Sequence, residues 1–587
     1  MIVAMKKVAV IMESKDAPSA IKALALQGLL HVEHAQPPKG KDLSLLRDDA
    51  ALLNQGLEIL SETKNLASLR VLSEQKLPVD WKATVLRIID LQKRIDRLSE
   101  YSKELSKRIY DWQLWGDFDP EIIRELSGKG IYVKLFAVPL KEVKNIPASV
   151  TVEKVTVKNG FVYCALISRE KIEAPFKEIE LPKMSLGKMK ERLSEDMRVA
   201  FGLKEEIRRG LCYRQGLLES KNKLDKEIEF LEVLSGSGES SGLTFLSGYA
   251  PADAEQALIR LAKKEKWGIL ISDLAEEDNP PTLIRNPKWV NLITPVYKLM
   301  EVVPGYRELD VSPIFLLFLS LFFGMIIGDA GYGAVYFTLT FLAKRKLAGK
   351  VKDKTVFFLF YLFSSCAMMW GLLSGTVFGQ QWYVAKGFKA LAPALNDTKF
   401  LMAFCFLLGA VQLSLAHGWQ ALKKIPSLTA LADIGFICLI WLGFLLSKMF
   451  ILGDAFPIIG KWLAWAGVTL IIFFVNPQKN FFKSIGAGLG TLALNAIGNF
   501  GDIVSYIRLF AVGLAGVAVA DSVNTLAATA AGNIIAQTLI LFIGHSINII
   551  LGPMSVLVHG IRLNVLEFSL LHGNVTWSGV AYKPLKE

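Results

Sequence analysis

With 587 residues, 52% of them hydrophobic and 21% charged, and a formal net charge of +12, the chain is too long for one ordinary core. It also fits neither a disordered polymer nor a bundle of membrane helices alone. The average conceals two halves: residues 1–311 carry 48 Lys/Arg against 46 Asp/Glu, whereas residues 312–587 carry 19 against 9.

The opening run MIVAMKKVAVIM carries Lys6 and Lys7 inside its apolar stretch and lacks a cleavage site. It therefore predicts a strand rather than a signal peptide, and a first half that stays in the cytoplasm. Residues 2–34 read strand, helix, strand. From Ile88 to Trp112, apolar positions at Ile88, Leu91, Ile95, Leu98, Leu105, Ile109 and Trp112 keep the 3–4 spacing of a coiled-coil seam. A second, imperfect seam runs from Leu186 through Met189, Leu193, Leu203, Ile207, Leu217, Leu224 and Ile228 to Leu231. Between the seams, the β-rich runs IYVKLFAVPL, SVTVEKVTV and FVYCALI predict an α/β lobe. After SGSGESSG (235–242), a strand, a helix and a strand complete a further α/β unit.

The expected fold class is mixed. Cytoplasmic α/β lobes are joined by a long antiparallel coiled-coil hairpin, and an all-α polytopic membrane domain follows. The cytoplasmic dumbbell covers 1–280, with a proximal lobe (1–78 plus 236–280), a coiled coil (79–117 and 183–235) and a distal lobe (118–182). A second helix of about 45 residues would set the lobes on the order of 70 Å apart. A coiled-coil dimerisation arm is the alternative. Residues 281–312 form a connector, and 313–587 the membrane domain.

Chemistry-bearing motifs are missing from the soluble half. Each Gly-Lys pair, at Gly40, Gly128, Gly187, Gly349 and Gly460, is followed by a residue other than Ser or Thr, so no phosphate-binding loop is present. There is no HExxH and no recognisable nucleophile. The five cysteines (Cys164, Cys212, Cys366, Cys405 and Cys438) are too scattered for a metal clamp and odd in number for a disulfide framework. No catalytic role, cofactor, metal or nucleic-acid partner is expected.

Long apolar stretches near 314–343, 355–379, 399–417, 428–451, 457–475, 484–527 and 532–573 predict membrane segments. The basic clusters at 344–354, Lys423 and Lys424, Lys479 and Lys483, and Lys583 and Lys586 share the cytoplasmic side on one condition. Residues 314–343 must be a hairpin broken at GDAGYG, with Gly328, Asp329, Gly331 and Gly333 forming the turn. Eight membrane helices follow, with a cytoplasmic carboxyl terminus. Each hairpin limb, about 15 residues or roughly 22 Å, must be sheltered by other helices.

The last two segments are about twice the spanning length, which implies tilted or interrupted helices. In the first, Arg508 lies on a stripe of mostly small residues, Gly498, Gly501, Ser505, Val512, Ala515 and Val519. In the second, His545, Asn548, Gly552, Ser555, His559, Arg562, Leu566, Ser569 and Gly573 recur at steps of 3 and 4, a polar face suited to an aqueous path, and Pro553 is placed to kink it. An arginine in a bilayer stays charged and needs a partner or water. Asp502, Asp521 and Glu567 are the candidate partners of Arg508. His545 and His559 suit polar packing as well as a proton path, and Asp329 suits a turn cap.

The stretches FFGMIIGDAGYG (322–333), GLLSGTVFG (371–379), GDIVSYIRLFAVGLAG (501–516) and HGIRLNVLEF (559–568), in this order and spacing, resemble the membrane stator subunit of rotary V-type and A-type ATPases, called subunit a or subunit I. Gly516 and Gly552 stand where eukaryotic members have a histidine and a glutamate, and SGTVFG is closer to bacterial or archaeal members. The resemblance implies that Arg508 faces the ion-binding carboxylate of a rotor ring and that Arg562 assists. It makes Asp502, Ser505, His545, Asn548, Ser555, His559 and Glu567 candidates for ion translocation. It further implies a non-catalytic subunit in the plasma membrane that moves H⁺ or Na⁺. The candidate partners are rotor c-ring (proteolipid) subunits, peripheral-stalk subunits, the central-stalk cap subunit and membrane lipid. A secondary transporter or channel with a coiled-coil regulatory domain is the main alternative, and a membrane receptor signalling through the coiled coil is another.

Overall fold

A computed structural model describes residues 1–66, 80–143, 150–158, 160–170, 178–349, 351, 353–380, 391–476, 481–530 and 532–586. Lys350, Lys352 and Lys479, on which the charge argument partly rests, lie outside the described residues. The chain divides into two compact units, one built mainly from Met12–Gly28 and His34–Leu246, the other from Met1–Ile11, Leu29–Glu33 and Ser247–Leu585.

In chain order the first elements are β1 (Met5–Glu13), α1 (Ala17–Gln27), β2 (His31–Glu33), α2 (Lys41–Leu66), α3 (Trp81–Trp112), α4 (Pro120–Gly128), β3 (Tyr132–Pro139), β4 (Thr151–Lys158), β5 (Phe161–Ser168), β6 (Glu178–Ile179), α5 (Leu186–Arg209), α6 (Arg214–Gly236) and β7 (Gly238–Ser240). The Asp80 carboxylate caps α3 by accepting from the Lys82 N–H at 2.9 Å. Its apolar spacing then buries Val85, Ile88, Ile89, Leu91, Ile95 and Leu105. Helix α3 packs on α5, while α2, which carries no seam singled out in the sequence, packs on α6 and α3. Leu53, Leu57 and Leu60 of α2 join Ile207 and Leu217 in one core.

The second long helix is interrupted by a 3₁₀ turn at Gly210–Tyr213. Gly210 and Arg214 occupy the expected seam positions there, and Leu211 and Tyr213 of the turn pack against the core instead. The three β-rich runs form an antiparallel sheet in the order β4-β5-β3-β6, with Phe136 opposite Cys164 and a core of Phe136, Val138, Val162, Cys164 and Leu166.

In the other unit, β8 (Leu243–Pro251), α7 (Glu255–Glu265) and β9 (Gly268–Ser272) return to the first strands. Strand β9 pairs antiparallel with β1 (Val8 opposite Ile271), and β8 pairs antiparallel with β2 (His31 opposite Tyr249). After α8 (Thr294–Met300) come α9 (Ser312–Ile327), α10 (Ala330–Leu347), α11 (Thr355–Ser374), α12 (Thr398–Lys424), α13 (Ala430–Ser447), α14 (Ile459–Phe474), α15 (Phe481–Ser505), α16 (Ile507–Thr529) and α17 (Ile534–Ser555). Among the described residues, five helices are long and apolar enough to cross a membrane: 355–374, 398–424, 430–452, 488–529 and 534–572. Ser312–Ile327 and Ile459–Phe474 are shorter apolar helices.

Helix α9 is buried along nearly its whole length, with Phe315 and Phe322 fully enclosed, so its backbone is sheltered by neighbouring helices. It ends on Gly328, at φ +63°, a left-handed cap that glycine adopts without steric cost.

The two long carboxyl-terminal segments are each modified internally. The first breaks at Tyr506 between α15 and α16. In the second, helical structure continues from Ile534 to His572 but widens to π geometry over Val556–Gly560 and Leu563–His572, just after Pro553. Pro553 has no N–H to give the Ile549 carbonyl, and Tyr336 Oη donates to that oxygen instead, at 2.7 Å. The tail then runs against the connector, with bridges Val303–Ser578 and Thr282–Ala581, and the Leu585 N–H donates to the Leu30 carbonyl at 3.0 Å.

Candidate functional site

Arg508 sits at the start of α16, just past the break at Tyr506. The break is pinned from within: the fully buried Tyr506 donates its hydroxyl to Gln412 Oε1 at 2.9 Å, Gln412 Nε2 donates to Asn564 Oδ1 at 2.9 Å, and Asn564 Nδ2 donates to the Gly560 carbonyl at 3.0 Å. Gly409 makes room for the tyrosine, since a Cβ there would lie 2.7 Å from its ring. Arg508 Nε donates to the Ser505 carbonyl at 3.1 Å, and Nη2 donates to Glu567 Oε1 at 3.1 Å. Arg562 Nε lies 3.7 Å from the same oxygen.

Of the three candidate partners of Arg508, Glu567 is therefore the one bonded to it. Two guanidinium groups share one carboxylate, which leaves net charge +1. Glu567 is 5% exposed, Arg508 25% and Arg562 52%, so the surplus positive charge is partly open to a neighbour while its counterion is enclosed. Glu567 Oε2 is buried and without a hydrogen-bond partner.

The stripe around Arg508 is open in this chain: Gly498, Gly501, Ala515 and Val519 are exposed, and Ser505 and Val512 half-buried. The stripe expected through 545–573 divides where the helix widens. His545, Asn548, Gly552 and Ser555 turn toward α10 and α16, but past Pro553 the π turns rotate the face, so that Asn564, Glu567, Ser569 and His572 point inward and Leu566 and Arg562 outward. His559 is half-buried.

Above the arginines, Tyr332 Oη lies 2.7 Å from His545 Nδ1 and accepts from Asn548 Nδ2 at 3.0 Å; Asn548 also donates to the Gly516 carbonyl at 3.0 Å. His545 Nε2 is 3.1 Å from Asn524 Oδ1. Tyr332, Tyr336, Gly516, Asn548, Gly552 and Ser555 line a cleft of about 140 Å³. Asp329, fully buried, accepts from the backbone N–H of Tyr332 (3.0 Å), Phe378 (2.9 Å) and Gly379 (2.7 Å). It thus caps α10 and fastens the 376–379 turn to it, while Gly331 and Gly333 lie buried in the first turns of α10.

Below the arginines lies a cluster the sequence reasoning missed. His572 Nε2 is 3.0 Å from Asp502 Oδ2, and its Nδ1 is 3.0 Å from His417 Nε2. His417 and His572 belong to membrane segments just as His545 and His559 do, and the chain holds six histidines in all; that scarcity was the available signal. Among the described residues no group of His, Cys, Asp and Glu is arranged to hold a metal ion.

Several apolar helices long enough to span a membrane, with charged and polar side chains partnered between them, define a membrane protein that manages charge within the bilayer. No protein-family model matches the chain. It is 30% identical over 614 residues to the V-type ATP synthase subunit I of Borreliella burgdorferi, with 100% of both chains covered. It is 29% identical over 628 residues to V-type ATP synthase subunit I 1 of Treponema pallidum, again covering 100% of both. With the A-type ATP synthase subunit I of Methanocaldococcus jannaschii it shares 24% identity over 384 residues, 57% of this chain and 54% of that one. The crystal structure of the cytoplasmic N-terminal domain of subunit I, homolog of subunit a, of V-ATPase aligns with 45% of this chain and 99% of its own, at 15% identity and a TM-score of 0.23. On the full-length match to the Borreliella protein, the chain belongs to the V-type ATP synthase subunit I family.

Proposed function

We propose that this chain is the membrane stator of a rotary V/A-type ATPase, in which residues 313–587 form ion half-channels against a rotor c-ring and residues 1–280 anchor peripheral stalks. One observation carries the reading: two membrane arginines on a single enclosed carboxylate, with the surplus charge of Arg508 left toward an exposed small-residue face. An ionised carboxylate on a passing rotor subunit would be stabilised there and would release its ion, and the fixed positive charge would oppose a direct leak. In this reading Arg508 acts on the rotor carboxylate, Arg562 and Glu567 hold it in place, and His545, Asn548, Ser555 and His559 serve one half-channel and Ser505 and Asp502 the other.

The exposure of the last segment supports a missing partner, since only 6% of its most apolar window is buried within the chain. Eight membrane helices, a coiled-coil hairpin within 79–235, and a cytoplasmic amino-terminal half and carboxyl terminus complete the arrangement in the plasma membrane. The chain itself carries no nucleotide chemistry; ATP hydrolysis or synthesis belongs to other subunits, and the central-stalk cap subunit is a further candidate neighbour.

The test is ATP-driven ion uptake by the assembled complex in vesicles. Arg508→Ala and Arg508→Gln should assemble and fail to pump, Arg562→Ala should pump at a reduced rate, and Arg508→Lys should be strongly impaired because a point charge lacks the planar fork of donors. Uptake at the wild-type rate by an assembled Arg508→Ala complex would leave Arg508 a structural ion-pair member.

A further inference from the structure

We propose that Asp433, His417, His572 and Asp502 form a proton relay on the Lys424 side of Arg508, and that the ion passed by this stator is therefore a proton rather than Na⁺. The inference rests on the stator reading of Arg508 and adds to it the identity of the ion and a path for it. The four side chains come from four elements and stand in single file. Lys424 Nζ donates to Asp433 Oδ2 at 2.7 Å; Asp433 Oδ1 is 3.4 Å from His417 Nδ1; His417 Nε2 is 3.0 Å from His572 Nδ1; and His572 Nε2 is 3.0 Å from Asp502 Oδ2. Side-chain exposure is 40% at Lys424, 3% at Asp433, 10% at His417, 3% at His572 and 18% at Asp502. The file is thus closed at Asp433, His417 and His572 and partly open at Asp502, and the exposed Lys424 ammonium, bonded to Asp433, connects the closed end to solvent by giving up one proton as it takes one from Asp433. Asp502 lies six residues before Arg508, a rise of about 9 Å.

Counting protons shows what the file can do. Its three links, Asp433 to His417, His417 to His572 and His572 to Asp502, each need one hydrogen. Two neutral imidazoles bring one N–H each, so with both carboxylates ionised one link stays open, and a single added proton closes all three. That proton can enter at either end. If it arrives on Asp502, it passes to His572 Nε2, the proton on His572 Nδ1 passes to His417 Nε2, and the proton on His417 Nδ1 passes to Asp433. One O–H is lost and one gained, each imidazole gains and loses one N–H, and no electron pair leaves its atom. Each ring ends in its other tautomer and must return its proton to the opposite ring nitrogen by tautomer exchange before a second proton passes the same way. The longest link, at Asp433, is where the unloaded file is most readily open.

The rings are placed for this transfer. The His417 and His572 centroids are 5.1 Å apart with planes at 83°, His417 stacks on Phe436, and Gln420 Nε2 donates to the His572 carbonyl at 2.6 Å. Lys424, Asp433 and Asp502 are the charged groups facing the pair. A metal cation fares differently, because a hard ion requires a shell of oxygen atoms. The central link offers only two nitrogen atoms at hydrogen-bond distance.

The experiment uses the whole complex, purified and reconstituted in vesicles, with ATP-driven proton uptake read by a pH-sensitive dye and Na⁺ uptake by ²²Na⁺. Wild-type complex should take up protons at a rate independent of Na⁺ and accumulate no ²²Na⁺. His572→Gln and His417→Gln keep hydrogen-bonding capacity but cannot carry a proton. In assembled complexes they should lower uptake by about a hundredfold, the low end of what a positioned acid–base group contributes, and free imidazole should restore part of it. Normal uptake by either assembled variant, or loss that imidazole does not rescue, would make the histidines a hydrogen-bonded framework and overturn the relay. ATP-driven ²²Na⁺ uptake by the wild type would overturn it too, including when neither variant assembles. The Arg508→Ala complex separates the two readings: if it fails to pump while His572→Gln pumps normally, only the relay falls, and if it pumps normally, the stator reading beneath it falls.

Discussion

Asp329→Ala offers a stringent test of how the membrane domain is held together. The carboxylate is fully buried and accepts three backbone N–H groups, from Tyr332 at 3.0 Å, Phe378 at 2.9 Å and Gly379 at 2.7 Å. A hydrogen bond to a charged acceptor contributes about 1.5–3 kcal/mol, and each orphaned donor in the interior costs a similar amount. With three such bonds, truncation to alanine should therefore cost about 4.5–9 kcal/mol, a large share of the stability of an ordinary domain. Asparagine keeps the oxygen that serves Tyr332 and Phe378 but turns an amide N–H₂ toward the Gly379 N–H, so Asp329→Asn should cost about 2–3 kcal/mol.

The damage should reach the cluster around His545 as well. Phe378, held at φ +52°, packs its ring against Tyr332 and His545, and its carbonyl accepts from Asn524 at 2.7 Å. The assay is denaturant titration of the purified chain in mixed micelles, followed by the fluorescence of its 12 tryptophans. An Asp329→Ala protein within about 0.5 kcal/mol of wild type, the spread of ordinary surface substitutions, would refute the argument, as would equal losses for alanine and asparagine.

Tyr336→Phe should cost about 1–3 kcal/mol by orphaning the Ile549 carbonyl. In a Pro553→Ala background, where residue 553 regains an N–H, the cost should shrink; an unchanged cost in that double-mutant cycle would reject the substitution of Tyr336 for the missing donor. A cysteine placed at Ala348 should react with an impermeant thiol reagent only from the cytoplasmic side and one at Leu391 only from the outside, and labelling of position 348 from the outside would reject the eight-helix topology. Asp353, outside the spanning segments, is held below the ordinary carboxylate range by hydrogen bonds from Lys298 and Thr355. A depressed carboxyl pKa stabilises the native state above the unfolded value, near 3.9, and the contribution is lost as pH falls through the native value. Wild type and Lys298→Ala should therefore differ in thermal midpoint at pH 7 and draw together as pH falls from about 4 through the lower native value; a difference that does not shrink over that range would show that the lysine acts by packing.

Elements governed by local chemistry were legible in the chain. The alternating run KKVAVIM, the three β-rich runs of 131–168 and the 3–4 spacing of Ile88, Leu91 and Ile95 each carry their own periodicity, and the corresponding strands and helix are present. Helix α2 was not, because its apolar residues Leu53, Leu57 and Leu60 gain meaning only from the partner faces of α3 and α6. The 3₁₀ turn at Gly210–Tyr213 was visible as a defect in the seam, but a defect can be bridged by neighbouring turns, and spacing alone does not say whether the helix bends, breaks or continues.

The same distinction governs the site. Arg508 and Arg562 stood out because an arginine in an apolar segment violates the composition around it, and a single carboxylate, Glu567, lies against both. The course of the last helix was misjudged for a definite reason: steps of 3 and 4 assume α geometry, whereas Pro553 frees a carbonyl and the π turns that follow shift every later side chain by a fraction of a turn. That shift brings His572, rather than a residue on the expected stripe, against Asp502 and His417. The sequence separations in this cluster, from His417 to Asp502 and on to His572, contain no period that links them; only the packing of α12, α13 and α15 around the widened helix brings two histidines and two carboxylates into one file. Buried polar groups persist in an apolar core only when partnered, so a histidine in a spanning segment is evidence for an unseen partner even when its sequence neighbours supply none.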